Sequence, residues 1–302
     1  MLKSPPENDT PFFVIGSPRS GTTLLRLVLS RHSGLIVPPE CGFLLWLQDR
    51  FYDWSANDSE SSAKRQEFAQ AVTSSRKFET WDIANFEIVA AILRFRPESY
   101  SELCACVYRI FSEKSGKLGA RWGDKNNYYL SSIDELEKLY PKAKFIHIVR
   151  DGRDVACSYR EVMSMPIQSQ YQPSLPTDIE EIAQVWSNDI KRVREQLSLL
   201  KIAQSIEVRY EDLTGNTEFE LTRICEFLGC DFENAMLSFH RPDEGVQTEP
   251  LATIGWKKRT VDPISSATVG RYSHVLTGQD ISVFESVAHH ELELYDYDVL
   301  LA

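Results

Sequence analysis

The sequence has no long apolar run, and this absence argues against a membrane-spanning protein. Of its 302 residues 42% are hydrophobic, but no segment approaches the roughly 20 apolar residues that a membrane-spanning helix needs. The first ten residues contain one lysine, two prolines and no apolar stretch, so we expect no export signal. These features predict a cytoplasmic protein without a membrane partner.

The sequence also has no surplus of basic residues. Lysine and arginine number 33, against 44 aspartates and glutamates, which gives a formal net charge of -11. Nucleic-acid binding needs basic surfaces that replace the counterions of phosphates, so the charge argues against a nucleic-acid partner. A basic pocket can still form inside an acidic protein. The candidates for it are Arg19, Arg150, Arg153, Lys257, Lys258 and Arg259.

Metal-binding and disulfide patterns are missing as well. The six cysteines are scattered, and the close pair Cys104 and Cys106 has neither zinc nor redox spacing. We expect reduced cysteines that lie mostly in the core. The six histidines show no metal spacing: His147 is expected in the core, and His289 and His290 on an exposed C-terminal helix. We therefore predict no metal.

What the sequence does contain is a repeated order of strand, loop and helix. Residues 12–15 are Phe-Phe-Val-Ile and precede a glycine-bearing loop, after which 22–31 have a helical apolar pattern. Residues 144–149 form a nearly continuous apolar run, typical of a buried parallel strand, and a helix is predicted to open at 151–154. Weaker strands are predicted at 35–37, 119–122 and 206–209.

Helical patterns fill most of the chain between these strands. They are predicted at 60–74, 85–93, 98–114, 131–139 and 178–203. Thr177 and Glu180 have the spacing of a capping box for the last helix. Residues 164–177 hold three prolines without periodicity and predict a mobile loop. Because no linker or repeat divides the chain, we expect one α/β domain over 1–302, a short parallel β-sheet flanked by helices.

The first loop has the features of a phosphate-binding site. A loop that follows a strand and opens a helix holds an anionic phosphate with its backbone amides and the helix N-terminus. The spacing of Gly16 and Gly21 matches the loop of nucleotide triphosphatases, but Thr22 stands where their phosphate-binding lysine belongs. The candidate binding residues are Ser17, Pro18, Arg19, Ser20, Gly21, Thr22 and Thr23.

The missing lysine separates two kinds of chemistry. A kinase needs that lysine, together with magnesium, to neutralise the transferred phosphoryl group. A 5'-phosphosulfate has one phosphate next to its sulfuryl group. Arg19, the loop amides and two threonine hydroxyls could hold it without metal.

A second candidate anion site follows the strand at 144–149. Arg150 leaves this strand at its carboxyl end, where open α/β sheets bind ligands. Its guanidinium can hold a phosphate in a forked geometry. The alternative is an ion pair between Arg150 and Asp151 or Asp154.

Both segments resemble signatures of one family. Pro18 to Leu24 resembles the 5'-phosphosulfate loop of sulfotransferases that use 3'-phosphoadenosine 5'-phosphosulfate (PAPS), in the form seen in tyrosylprotein sulfotransferases and many bacterial members. Phe145 to Ser158 resembles the second signature of the family. The resemblance implies the P-loop-type sulfotransferase fold, and it implies that Arg150 and Ser158 bind the 3'-phosphate.

The same resemblance implies further site residues. Lys125 resembles the lysine that stabilises the departing bridging oxygen, and Tyr210 resembles the strand-end tyrosine near the adenine. Arg271 lies in a stretch similar to the part of the family that closes over the nucleotide with a basic residue near the 3'-phosphate. The three neighbouring basic residues could serve there instead: Lys257, Lys258 and Arg259.

Sulfuryl transfer also needs a base for the acceptor proton. Glu40 follows the short strand at 35–37, and the matching stretch of tyrosylprotein sulfotransferases carries their catalytic glutamate. Glu40 could also cap or begin the helix that follows it. His32 is close enough in sequence to be a reserve base.

These features predict transfer of the sulfuryl group of PAPS to a hydroxyl or amine of a small-molecule acceptor. Glu40 would be the base, and Arg19 and Lys125 would stabilise the leaving phosphate. Helical segments within 43–115 and the loop 164–177 are expected to shape the acceptor pocket. The alternatives are a P-loop kinase using ATP and magnesium, and a catalytically silent nucleotide-binding protein. Acceptor identity and oligomeric state remain open.

Overall fold

A five-stranded parallel sheet lies at the centre of the computed structural model, which describes residues 10–167, 169–201, 203–241 and 248–299. The strands are β1 Phe12–Ile15, β2 Leu35–Ile36, β3 Arg121–Lys125, β4 Lys144–Val149 and β5 Ser205–Arg209. Their order across the sheet is β2-β3-β1-β4-β5. Every neighbouring pair is parallel, so the carboxyl ends of all five strands meet at one edge.

Helices cover both faces of this sheet. Within the described ranges the α-helices are α1 Thr22–Leu29, α2 Phe43–Trp46, α3 Gln48–Phe51, α4 Ala56–Glu60, α5 Ser62–Thr73, α6 Asn85–Phe95, α7 Tyr100–Lys114, α8 Ile133–Leu139, α9 Gly152–Ser164, α10 Ile179–Ser198, α11 Tyr210–Gly215, α12 Thr217–Leu228, α13 Leu251–Ile254, α14 Tyr272–Val275 and α15 Gly278–Leu294. In those same ranges no helix has both the length and the apolar character to cross a bilayer.

The central strand β1 is buried on both faces, which explains its uninterrupted apolar sequence. Its side chains alternate between two cores. Phe13 and Ile15 pack with α5, α6 and α7, in a cluster rich in aromatic rings. Phe12 and Val14 pack on the opposite face with α1 and α12. Packing against both cores therefore fixes the direction of β1 and the position of the loop that follows it.

The predicted α/β class and all five predicted strands are confirmed. The predicted helices are also present, with bounds close to those expected. The predicted N-cap of α10 was wrong by one position. Asp178, rather than Thr177, caps this helix by accepting a hydrogen bond from the Glu181 N–H at 3.0 Å. Asp178 is in the extended conformation that an N-cap requires. The helix ends at Ser198, before the predicted end at 203.

The end of β4 is held by a third apolar cluster, formed with α9, α10 and α15. Gly152 begins α9, and a Cβ there would lie 2.4 Å from Phe284 and 2.6 Å from Trp186. The Trp186 Nε1–H donates a hydrogen bond to the Arg150 carbonyl at 3.1 Å. The close approach of two rings at Gly152 thus fixes the backbone from which Arg150 projects.

Gly152→Ala is expected to lower the free energy of unfolding by about 1–3 kcal/mol, because the added methyl overpacks this contact. Urea denaturation measures the change. Gly215→Ala is the matched control, since a Cβ at Gly215 would meet no atom within 4 Å. The control should keep the stability or raise it by up to about 1 kcal/mol. Equal losses in both variants would contradict the packing account.

Candidate active site

A cavity of about 630 Å³ opens at the edge where the strands end. The loop after β1 forms one wall, and Glu40, Arg150 and Tyr210, which follow β2, β4 and β5, contribute to the others. Its lining comprises Pro18, Arg19, Gly21, Thr22, Thr23, Leu24, Glu40, Lys77, Asn127, Arg150, Ser158, Tyr171, Pro173, Leu175, Tyr210, Trp256, Lys257, Arg259, Thr260, Asp262, Pro263, Ile264, Ser265, Ala267 and Thr268. The strand order therefore brings together segments that lie far apart in the sequence.

The loop between β1 and α1 lies tightly against its neighbours. Gly21 has φ 97°, and a Cβ there would lie 2.5 Å from the Tyr210 ring. A Cβ at Gly16 would lie 2.6 Å from the Ile148 carbonyl oxygen. Arg19 also has a positive φ, 69°, which is unusual for a residue with a side chain. Such conformations are common at binding sites, where the surrounding structure holds them in place.

Two of the candidate loop residues point away from the cavity. Ser17 and Ser20 are buried, and the Ser17 hydroxyl hydrogen-bonds to the Asp189 carboxylate. The Ser20 N–H donates to the Ser17 carbonyl at 3.2 Å. Ser17 and Ser20 are therefore part of the buried side of the turn, whereas Pro18, Arg19, Gly21, Thr22 and Thr23 line the cavity.

Arg19 joins the loop to the second motif. Its Nε–H donates to the Ser158 hydroxyl at 2.9 Å, and its carbonyl accepts a hydrogen bond from Arg150 Nη1 at 3.2 Å. The Arg150 guanidinium lies over the Tyr210 ring, 4.5 Å from its centroid. Arg150 Nη2 also donates to the Thr268 carbonyl at 2.8 Å. The structure thus brings together Arg19, Ser158, Arg150 and Tyr210, which span most of the sequence.

Four guanidinium groups concentrate positive charge at this end of the cavity: Arg19, Arg150, Arg259 and Arg271. Burial, and next the charge of Arg150, lower the pKa of Arg19 to about 10. Glu161 offsets part of this charge, with ion pairs to Arg271 at 2.7 Å and Arg259 at 3.4 Å. A site with such an excess of positive charge favours an anion.

Several guanidinium donors in this group have no partner. Arg150 Nε, Arg271 Nε and Arg271 Nη2 are buried, and none of them makes a hydrogen bond to any residue that the structure describes. Buried donors without partners cost free energy, so they indicate a place for acceptor oxygens. The expected ion pair of Arg150 with Asp154 is long, at 4.0 Å, and Asp151 pairs with Arg153 at 2.8 Å instead.

Glu40 lies at the other end of the cavity, among lysines. Its carboxylate accepts a hydrogen bond from Lys77 Nζ at 2.7 Å, contacts Lys125 Nζ, and lies 3.6 Å from Lys257 Nζ. The alternative role as a helix cap is wrong, because the next helix begins at Phe43 and Gly42 is its N-cap. Glu40 therefore belongs to no helix, and its carboxylate forms part of the cavity wall.

The charges around Glu40 determine its protonation. Burial acts to raise the pKa of Glu40, but Lys125, Lys257 and Lys77 together hold it well below its ordinary value. Burial lowers the pKa of Lys125 to about 8, although the Glu40 carboxylate opposes this shift. Lys125 Nζ also donates to the Thr23 hydroxyl at 3.2 Å. Glu40 and Lys125 thus form a buried ion pair beside the phosphate-type loop.

Sequence reasoning missed a second row of charges behind this pair. Lys257 Nζ lies 2.6 Å from Glu249, and Glu249 lies 2.9 Å from the Arg26 guanidinium. Arg26 is buried on the apolar face of α1. A charged residue inside that apolar pattern was a signal in the sequence. Lys77 had no such signal, because only the tertiary fold brings it to Glu40.

The remaining candidate residues differ in whether they lie near the cavity. His32 lies before β2, at the amino end of the sheet, and its Nε2 is 2.8 Å from the Asp231 carbonyl, so the structure does not bring it to the cavity. Lys258 is exposed, and Lys257 pairs with the glutamates. Arg259 and Arg271 are therefore the basic residues from the C-terminal part that lie near Arg19.

Comparison with known proteins agrees with this geometry. The family model described as "Sulfotransferase family" matches residues 11–234. The chain belongs to the sulfotransferase family. As a sulfotransferase relative, it is 28% identical over 228 residues to a Caenorhabditis briggsae protein described as "Putative protein-tyrosine sulfotransferase", covering 76% of this chain and 68% of that one. It is 23% identical over 232 residues to protein-tyrosine sulfotransferase A of Caenorhabditis elegans, covering 76% of this chain but only 52% of that protein.

Solved structures of sulfotransferases share the fold. The sulfotransferase domain from the curacin biosynthetic pathway aligns with a TM-score of 0.63 at 20% identity, covering 96% of this chain and 99% of that one. A mouse sulfotransferase, SULT7A1, solved in complex with PAP, aligns with a TM-score of 0.52 at 13% identity, covering 96% and 85% of the two chains. At these identities the likeness shows the sulfotransferase fold.

Replacing Glu40 should change the titration of Lys125. In Glu40→Gln the pKa of Lys125 is expected to fall below its value of about 8, because the carboxylate that favours the charged ammonium is lost. Carbon-13 NMR of labelled lysine side chains measures this pKa, with Lys125→Met assigning the signal. Glu67→Gln is the control, since Glu67 pairs with Arg50 at the surface. An unchanged pKa of Lys125 in Glu40→Gln would mean that the two groups do not form a pair in solution.

Proposed function

We propose that this protein transfers the sulfuryl group of PAPS to a hydroxyl or amine of a small-molecule acceptor. The observation that carries the proposal is the contact between the two anion motifs: Arg19 of the lysine-free loop donates to Ser158, and Arg150 donates to the Arg19 carbonyl. Membership of the sulfotransferase family supports the same reaction class. So does a mouse sulfotransferase of this fold that was solved with PAP, adenosine 3',5'-bisphosphate.

The cavity residues fit the anionic groups of PAPS. Arg150, which lines the cavity, and Arg271, which lies near Arg19, have buried donors without partners among the described residues, and a 3'-phosphate would supply acceptor oxygens for them. Arg19, Thr22 and Thr23 line the wall where the 5'-phosphosulfate would be held. Tyr210 lines the same end of the cavity, where it would stack on or hydrogen-bond to the adenine.

PAPS, when bound, supplies an activated sulfuryl group. Three residues of the chain would then act on the reacting atoms. Glu40, ionised under the influence of its lysines, would accept the proton of the acceptor hydroxyl or amine. Lys125 and Arg19 would stabilise the negative charge that develops on the leaving phosphate oxygen. No metal is required in this proposal, because cationic side chains surround the site.

The three lysines also constrain how Glu40 can work. A carboxylate with a strongly lowered pKa is a weak base, and a base is most effective when its pKa is near the working pH. Lys125 can contact either Glu40 or the leaving oxygen. A shift of Lys125 towards the leaving oxygen would remove the largest of the three lysine effects on Glu40 and raise its pKa, so that proton transfer and charge stabilisation would occur together.

The acceptor end of the cavity combines apolar walls with a few polar groups. Tyr171, Pro173 and Leu175, from the loop predicted to shape this pocket, line it together with Trp256 and Ile264. Pockets of this kind take small molecules with apolar bodies and one or two polar groups. We therefore propose an acceptor whose hydroxyl or amine reaches Glu40 while its apolar part packs on this wall.

The donor site can be tested by binding alone. Calorimetric titration with PAP should give metal-independent binding, and Arg150→Ala should weaken it about 10- to 100-fold, because charge-assisted hydrogen bonds are lost. Arg50→Ala is the matched control, since Arg50 is exposed and pairs only with Glu67 in the described part of the chain. Binding of ATP only with magnesium would support a kinase instead. Binding of neither nucleotide would support a silent scaffold.

The catalytic roles need a turnover measurement. Transfer of labelled sulfuryl from PAPS to naphthol, hexanol or hexylamine identifies a working acceptor. With it, Glu40→Gln should lower kcat by about 10²- to 10⁴-fold, and Lys125→Met by about 10²- to 10³-fold. Both variants should still bind PAP, which separates a chemical role from misfolding. Glu67→Gln is the control for the loss of a carboxylate. A Glu40→Gln enzyme with normal kcat would overturn the role of Glu40 as base.

A further inference from the structure

A pair of cysteines lies at the amino edge of the sheet, opposite to the cavity. Cys225 lies in the last turn of α12, and Cys230 follows the end of that helix. Gly229, with φ 81°, ends the helix in the left-handed conformation. The Cys230 N–H donates to the Cys225 carbonyl at 3.0 Å, and the Gly229 N–H to the Glu226 carbonyl at 3.0 Å. These are the two hydrogen bonds of a Schellman motif.

The Schellman motif brings the two thiols together. Its two hydrogen bonds place the residue after the left-handed position beside the residue five positions earlier, and their side chains commonly touch. Here those residues are Cys225 and Cys230. Their spacing of five positions matches no cysteine motif in the sequence, but the fold brings the two side chains together. The cysteines are reduced and mostly buried, as expected, but two of the cysteines that are scattered in the sequence lie side by side in the fold.

His32 completes the cluster. An imidazole nitrogen of His32 and the two sulfur atoms all lie within 4.8 Å of one another. The other ring nitrogen, Nδ1, accepts a hydrogen bond from the Gly34 N–H at 2.9 Å, so the proton of the neutral ring is on Nε2. A protonated nitrogen does not bind a metal ion. The Nε2 proton is shared between two acceptors, the Asp231 carbonyl at 2.8 Å and the Cys230 sulfur.

The surroundings of Cys230 favour its reactive form. The Cys225 thiol, and next the His32 ring, donate hydrogen bonds that lower the pKa of Cys230, and the charge of Arg121 acts in the same direction. Lys144 also lies close enough to act on this sulfur, while Glu233, which contacts His32, is the nearby carboxylate. Cys230 is partly exposed, whereas Cys225 is buried. Thiolates with access to solvent are the cysteines that react.

We propose that Cys225 and Cys230 form a reversible redox pair, in which Cys230 is the thiol that reacts with peroxide and Cys225 resolves the product as a disulfide. The Cys230 thiolate attacks hydrogen peroxide, the O–O bond breaks, and Cys230 becomes a sulfenic acid while hydroxide leaves and takes up a proton. The Cys225 sulfur then displaces water from the sulfenic acid and forms the S–S bond. In total two thiols lose two hydrogen atoms, and peroxide is reduced to two molecules of water. A thiol reductant reverses the step.

Peroxide treatment of the folded full-length protein tests this pair. The intact mass should fall by two hydrogen atoms, and peptide mapping should find one disulfide, between Cys225 and Cys230. Dithiothreitol should restore the original mass. A disulfide between other cysteines, or six unmodified thiols under conditions that oxidise glutathione, would overturn the proposal.

Variants separate the roles of the two sulfurs. Cys230→Ser should abolish disulfide formation, whereas Cys225→Ala should trap Cys230 as a sulfenic acid that dimedone labels. His32→Gln should slow the reaction about tenfold, because a hydrogen bond to a charged sulfur is lost. Cys104→Ala is the matched control, since it also removes a buried thiol from the core, and its oxidation should equal that of the unaltered protein. Dimedone labelling of Cys104 as fast as of Cys230 in the Cys225→Ala protein would also overturn the assignment.

Discussion

The parallel pairing of β1 with β4 places the loops that carry Arg19 and Arg150 next to each other. Ile15 pairs with His147 near the ends of these strands, so the loops that follow them leave the sheet side by side. Arg19 and Arg150 are separated by 131 positions in the sequence but are joined by a hydrogen bond. Without that pairing, the two guanidinium groups would not lie beside each other. The three apolar clusters serve to keep this edge of the sheet in place.

The arginines and lysines around the cavity concentrate positive charge where little water can screen it, which costs free energy. The protein offsets it with carboxylates at both ends of the cavity. Glu161 pairs with arginines at one end, and Glu40 and Glu249 pair with lysines at the other. Removing one partner from such a group leaves a buried charge without compensation, which destabilises a protein strongly. The same carboxylates that offset the charge therefore also hold the cationic side chains in position for a ligand.

The sequence was sufficient to predict those parts of the fold whose signals are local. The strands β1 and β4 are continuous apolar runs, and the loop after β1 carries its glycines at the positions where close approach requires them. The helices beyond residue 209 were largely missed, apart from the exposed C-terminal one, because they are short or have mixed apolar patterns. Candidate residues at strand ends could be predicted, since parallel strands end at one edge. Lys77 and Glu249 could not, because their roles depend on contacts between distant segments.

The ion pairs of Glu161 bear on which anions this end of the cavity would accept. Glu161 pairs with Arg271 and reaches Arg259, so a carboxylate already takes up part of the hydrogen-bonding capacity of these two arginines. An incoming anion would share these arginines with Glu161, because Glu161 is bound by Arg271 Nη1 while Nε and Nη2 have no partner among the described residues. A ligand with a single negative charge would gain little from such an exchange, whereas a doubly charged phosphate would gain more from every arginine that it shares. In the proposed function, Glu161 would therefore favour a doubly charged phosphate group over singly charged anions.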